Sequence, residues 1–198
     1  MLELQAVASQ IHKCYDCRLS EGRTNTVPGE GPQHVDLMFI GEAPGYNEDQ
    51  QGRPFVGAAG KLLERLLASI GLSRESVFIT NMVKCRPPDN RDPYPAEILA
   101  CSKFLDRQIE ILNPKIVITL GRHSLAKMLP GESISKARGR PRKMGNFILF
   151  PMYHPAAALH QPSLRKVVEA DFKAIISLLE ETKLAGQEKT NVQQLSMF

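Results

Sequence analysis

The chain has 198 residues, 42% of them hydrophobic and 23% charged, a balance that suits one globular domain and excludes wholesale disorder. No apolar run approaches the ~18 residues of a membrane span, and the N-terminal MLELQAVASQIHKC lacks the basic start and long apolar core of an export signal. With 25 Lys+Arg against 21 Asp+Glu the net charge is +4, too mild on its own to argue for a polyanionic partner.

In chain order, residues 3–13 read as a helix running into a turn that carries Cys14 and Cys17. Val35–Ile40 is a continuous apolar run, a buried strand ending at Gly41. Gly57–Ile70 places Leu62, Leu63, Leu66, Leu67 and Ile70 on one helical face, and Val77–Thr80 is a second short strand. Pro95–Leu112 is a helix with proline in its first turn and Asn113-Pro114 as its stop. Ile116–Leu120 is a third strand, followed by a short helix over Arg122–Leu129, and Asn146–Pro151 is a fourth. Ser163–Lys183 closes the domain, with Leu164, Val168, Phe172, Ile175 and Leu179 at core spacing. Strands separated by helices imply a parallel sheet covered on both faces. The expectation is an α/β fold: one three-layer α/β/α domain over residues 1–183 with a four-stranded parallel sheet, then a flexible C-terminal tail over 184–198.

In such sheets, ligands sit beyond the carboxyl ends of the strands. The segments there are Gly41-Glu42-Ala43-Pro44-Gly45, Asn81, Gly121-Arg122-His123 and Tyr153-His154-Pro155, which should converge on one cleft. The stretch Gly41–Gly60 is rich in glycine, which lets backbone amides approach a ligand closely, and it presents Phe55 from its middle. It contains neither G-x4-G-K-[ST] nor G-x-G-x-x-G, so nucleoside triphosphate and dinucleotide binding lose support. An amide at Asn81 donates and accepts at once, which suits the edge of a pyrimidine ring. His154, at the sheet edge and held by Pro155, is the stronger candidate for proton chemistry, while His123 begins a helix and reads as a supporting residue.

The C-x2-C pair Cys14 and Cys17, with Cys85 and Cys101, reads as one metal site, because a chain without an export signal has little use for structural disulfides. Zinc and an iron–sulfur cluster both accept four thiolates, and the spacing does not choose between them. The block Lys136–Lys143 (KARGRPRK) has five basic residues in eight and no acid; it is either a solvated loop or a set of phosphate contacts.

Taken together, C-x2-C, GEAPG-x3-D-x2-GRPFVG, TN-x-VKCRPP, a fourth cysteine on the following helix and HPAA occur in an order that resembles the family 4 uracil-DNA glycosylases over residues 10–180. The resemblance implies a DNA repair enzyme that flips uracil out of DNA and hydrolyses its N-glycosidic bond. It leaves an abasic site and does not cut the strand. It also implies a [4Fe–4S] cluster on Cys14, Cys17, Cys85 and Cys101, with a structural role. By motif position, Phe55 would stack on the flipped base and Asn81 would read its O4 and N3–H. Gly41, Glu42 and Ala43 would line the pocket through backbone groups, and His154 would donate towards O2 of the departing uracil. Related family 1 enzymes have an aspartate at the place of Ala43 to handle the attacking water. Here Glu42 and then Glu48 are the carboxylate candidates.

The loop His154–Pro162 would enter the minor groove with Leu159 as a wedge, and Arg138, Arg140, Arg142 and Lys143 would contact phosphates. The final Gln194-Leu195-Ser196-Met197-Phe198 resembles the Q-L-[SD]-L-F peptide that docks on the bacterial β sliding clamp. The expected partner is uracil-containing DNA, single- or double-stranded, bound by a monomer with no membrane association in the cytoplasm, at the nucleoid. The main rival reading is a non-catalytic nucleic-acid-binding module stapled by a metal, which leaves Phe55, Asn81 and His154 unused.

Overall fold

The computed structural model describes residues 2–195, with side chains described for residues 3–184. Its strands are β1 (Leu37–Gly41), β2 (Phe78–Asn81), β3 (Ile116–Leu120), β4 (Arg142–Met144) and β5 (Phe147–Met152), in the sheet order β2-β1-β3-β5-β4. The helices are α1 (Leu2–His12), α2 (Leu19–Gly22), α3 (Tyr46–Gln51), α4 (Ala58–Ser69), α5 (Pro95–Leu112), α6 (Arg122–Met128), α7 (Ile134–Ala137), α8 (Pro155–His160) and α9 (Ser163–Leu195). β1, β2, β3 and β5 pair in parallel, as expected. Every residue of β1, β2 and β3 is buried, which is why β1 and β3 show no apolar–polar alternation.

Alternate residues of β1 feed two cores. Leu37 and Phe39 pack with Leu63 and Leu67 of α4 and with Phe172 and Ile175 of α9; Met38 and Ile40 pack with Leu105 and Leu112 of α5. A third cluster seats α1 against α5 through Val7, Ile11 and Phe104. α5 keeps its predicted bounds because Glu97 accepts the Tyr94 backbone N–H at 2.7 Å at one end, while Asn113 takes φ +40° at the other.

One expectation changes. The sheet has a fifth strand: Arg142–Met144 of the basic block pairs antiparallel with β5, at the edge. An edge strand carrying exposed Arg142 and Lys143 shows no apolar alternation, and such charges guard an open edge against further pairing. The helical backbone of α9 continues past Lys183 to Leu195, through most of the segment expected to be a flexible tail. That stretch lacks core periodicity but is rich in Leu, Ala, Gln, Glu and Lys, which all favour helix. Ser196, Met197 and Phe198 of the proposed clamp peptide lie outside the described residues.

From β1 the chain moves through α4 to β2 on one side, then returns through α5 to β3 on the other. The β1/β3 boundary is therefore the point where the winding reverses, and a crevice opens beyond the strand ends there.

Candidate active site

That crevice, of about 830 Å³, is lined by Glu42, Phe55, Asn81, Gly121, Tyr153 and His154 among others, so the segments expected to converge do so. Asn81, the last residue of β2, is 2% exposed, and its carboxamide has no hydrogen-bond partner among the described residues. The amide reaches the crevice that Asn81 lines, where a ligand can bond it. Gly41, its neighbour on β1, leaves the necessary room: a Cβ there would lie 2.3 Å from Asn81 Oδ1 and 2.6 Å from Phe55 Cζ.

Phe55 is 4% exposed and packed into the α4/α9 core, not presented from an open loop. Its backbone sits at φ +52°, a strained value for a residue with a side chain. Arg74, in a one-turn 3-10 helix far along the chain, holds it there by donating to the carbonyls of Pro54 and Phe55, the latter at 2.9 Å. Glu30 and Glu64 complete the guanidinium's partners. From below, Gly60 admits the Phe55 carbonyl where a Cβ would stand 1.8 Å from its oxygen. Replacing Arg74 with Met is expected to cost about 2–3 kcal/mol of stability, by orphaning buried charge-assisted bonds, and to lower kcat/KM about tenfold; thermal unfolding and steady-state kinetics check this.

His154 caps α8. Its Nδ1 accepts the Ala156 backbone N–H at 3.1 Å, so Nδ1 is unprotonated and Nε2 carries the ring proton. Burial pulls the imidazole pKa down to about 4, with Glu48 opposing weakly. The ring packs on Phe55 with centroids 5.5 Å apart, and Gly121 passes its Cβ closely. The result is a neutral, fixed N–H donor at the pocket.

The two candidate carboxylates differ. Glu48 spends its oxygens on backbone amides: Oε1 accepts from Val56 and Gly57, both at 2.8 Å, and Oε2 from Gly45 at 3.2 Å. It ties the two ends of the Gly-rich loop together. Glu42 has no such bonds. Its carboxylate lies 3.7 Å from His123 Nε2, which in turn is 3.2 Å from Asp92, and burial raises its pKa above the usual carboxylate range. Arg122 donates to His123 and Asp92.

On the other side of the β1/β2 ends, Cys14, Cys17, Cys85 and Cys101 line one cavity with Arg23 and Lys84. All four are free thiols. Burial pushes Cys101 up to about 11 and raises Cys17 and Cys85, so thiolates there need a cationic centre to offset the desolvation. Arg23 Nη1 donates to Cys85 Sγ at 3.2 Å. Four unpaired cysteines lining one partly buried cavity are the residues that would hold a metal centre.

The family model described as the uracil DNA glycosylase superfamily matches residues 28–180. A type-4 uracil-DNA glycosylase of Sulfurisphaera tokodaii is 55% identical over 190 residues, covering 90% of this chain and 86% of its own. One from Archaeoglobus fulgidus is 45% identical, with 88% and 92% covered. The chain belongs to the type-4 uracil-DNA glycosylases. By contrast, a type-5 uracil-DNA glycosylase of Thermus thermophilus is 30% identical over 68% of each chain.

Within this type-4 architecture, the structure brings Gly41, Glu42, Ala43, Glu48, Phe55, Asn81 and His154 to one end of the sheet. The basic residues assemble less well. Arg138 is committed to an ion pair with nearly buried Asp171 at 2.6 Å, so it is a structural tie in place of the free phosphate contact expected of it. Arg140 and Arg142 are exposed, but Lys143 pairs with Ile148 near the start of β5, away from His154. Leu159 is 41% exposed at the end of α8, open to solvent as a wedge must be. Sequence reasoning missed Arg74, which reaches the Phe55 backbone from its one-turn 3-10 helix, and Asp92, which lines the crevice from a loop; neither carries a motif of its own. It also gave no role to Lys84, which sits between Val83 and Cys85 in the TN-x-VKCRPP segment.

Proposed function

We propose that the protein excises uracil from DNA, and the observation that carries this reading is the partnerless Asn81 amide beside Phe55 and a proton-fixed His154. A base within a duplex is out of reach, so it must leave the stack at a cost of a few kcal/mol. Across the Phe55 ring the base gains about 1–3 kcal/mol of stacking. The Asn81 amide donates to O4 and accepts from N3–H of uracil; cytosine offers the reverse pattern and leaves both groups mismatched. As the C1′–N1 bond breaks, its electron pair moves onto the uracil ring, and the His154 Nε2–H stabilises the charge at O2. Water then adds to the oxocarbenium-like sugar. Glu42, with a raised pKa and a carboxylate lining the crevice, takes the proton released; Glu48 keeps the loop in shape.

Cys14, Cys17, Cys85 and Cys101 would hold a [4Fe–4S] cluster, which supplies a structural staple between the N-terminal segment, the loop after β2 and α5. Arg140 and Arg142 would contact phosphates. Changing both to Ala is expected to lower the slope of log binding against log salt by about 2; an unchanged slope removes them from the DNA interface. The Gln194–Phe198 peptide would dock on a β sliding clamp. Its deletion should abolish clamp retention in a pull-down and spare excision on short oligonucleotides.

The direct test is alkaline cleavage of a labelled oligonucleotide carrying one uracil, with cytosine and thymine controls. Uracil-dependent breaks establish the reaction. Binding without breaks by cluster-loaded protein would leave a nucleic-acid-binding module.

A further inference from the structure

Lys84 is 1% exposed, a rare place for a lysine. Its Nζ has three acceptors at hydrogen-bond distance: Thr80 Oγ1 at 2.6 Å, the Asn81 carbonyl at 2.8 Å and Gln108 Oε1 at 2.7 Å. The roles of all three are fixed by their surroundings. The Thr80 hydroxyl donates onward to the Pro28 carbonyl, and the Gln108 amide nitrogen donates to the same carbonyl. Both side-chain oxygens facing Lys84 are therefore acceptors, and three acceptors match the three N–H groups of an ammonium. Burial pulls its pKa down to about 7. The full set of bonds offsets that cost.

The side chain thus closes the chain from Thr80 to Lys84 on itself, with Asn81 inside the loop. The same segment pairs with β1 beyond its end: Met82 N–H donates to Gly41 and Val83 N–H to Glu42. On its other side, Lys84 lines the cavity of the four cysteines and directly precedes Cys85, while α5 carries both Gln108 and Cys101.

We propose that Lys84 is a positioning residue for uracil recognition, fixing the Asn81 backbone to the walls of the cysteine cavity so that the reading amide and the metal site move as one unit. The inference rests on reading Asn81 as the uracil reader. It makes that reader's geometry depend on a buried side chain away from the crevice, and it gives the adjoining cysteine site a route into base choice.

The test is a double-mutant cycle with Lys84→Met and Asn81→Ala, on protein whose metal content and visible absorbance are measured beside activity. Lys84→Met alone is expected to lower kcat/KM for uracil about 30-fold and to weaken inhibition by free uracil by a similar factor. In the Asn81→Ala background the same change should cost less than threefold, because the group it positions is gone. Metal removal should weaken free-uracil binding by wild type at least fivefold and leave binding by Lys84→Met unchanged. Equal losses in both backgrounds, or uracil inhibition untouched by Lys84→Met, would overturn the proposal. Should Lys84→Met fail to fold, Gln108→Met removes one acceptor carried by α5 and not by the Thr80–Lys84 segment, and its predicted fivefold loss must likewise vanish in the Asn81→Ala background. A wild type that excises no uracil would instead sink the functional reading, a separate outcome visible before any variant is made.

Discussion

His154→Ala is expected to reduce kcat by about 10²–10³ with little change in KM, because the lost N–H acts on charge that develops only as the glycosidic bond breaks. The structure adds a pH signature. With Nδ1 occupied by the Ala156 N–H and the pKa near 4, His154 is neutral across the physiological range. The acid limb of kcat/KM should therefore show no ionisation at the ordinary histidine value near 6.5. What limb there is above pH 4 belongs to Glu42, whose pKa burial raises, and Glu42→Gln should flatten it. A limb at 6.5 that disappears in His154→Ala would contradict the neutral donor. Stability carries the matching sign: between pH 6.5 and about 4 the unfolded chain binds a proton that the native imidazole refuses. The native state should accordingly lose stability as pH falls through that window, and His154→Ala should shrink the loss.

The second large effect is at Asn81. Truncation to Ala removes both polar contacts to the base edge, each worth about 1–1.5 kcal/mol net, so kcat/KM for uracil should fall about 10²-fold. Selectivity should fall with it. On the proposed reading the wild-type site would reject cytosine because the Asn81 amide would face the wrong donor and acceptor, a penalty larger than the gain from the right pair. Alkaline cleavage on uracil and cytosine oligonucleotides, run side by side, measures both.

How far the sequence revealed this site depends on how local each signal was. Ile116–Leu120 and Pro95–Leu112 were legible to the residue, since an unbroken apolar run and a Pro/Asn-Pro bracket are local features. The strand-end rule then placed Gly41, Asn81 and His154 together with no knowledge of side-chain contacts. β4 escaped because its stability comes from pairing with Phe147–Leu149 and not from its own charged sequence. Phe55 looked presented, since glycines flank it; its burial follows from Arg74 and Gly60, whose contacts with it arise only when the chain closes. Arg138 shows the same limit, because a basic run does not disclose that one of its members faces Asp171, 33 residues on.

The seating of α1 has a bearing on the order of assembly. Val7 and Ile11 reach the domain through a patch that Phe104, Cys101 and Cys85 already present once β2 and α5 are in place. Two of the four cysteines are therefore carried by the chain after β2 and by α5, and the other two by the N-terminal segment that Val7, Ile11 and Leu19 anchor. Were the four cysteines to hold a metal centre as proposed, Cys85 and Cys101 would offer the ligands fixed by the sheet and α5, and Cys14 and Cys17 would complete the set from the segment after α1. A protease added before the metal is bound should cut first between His12 and Arg23, and the same bonds should become resistant afterwards.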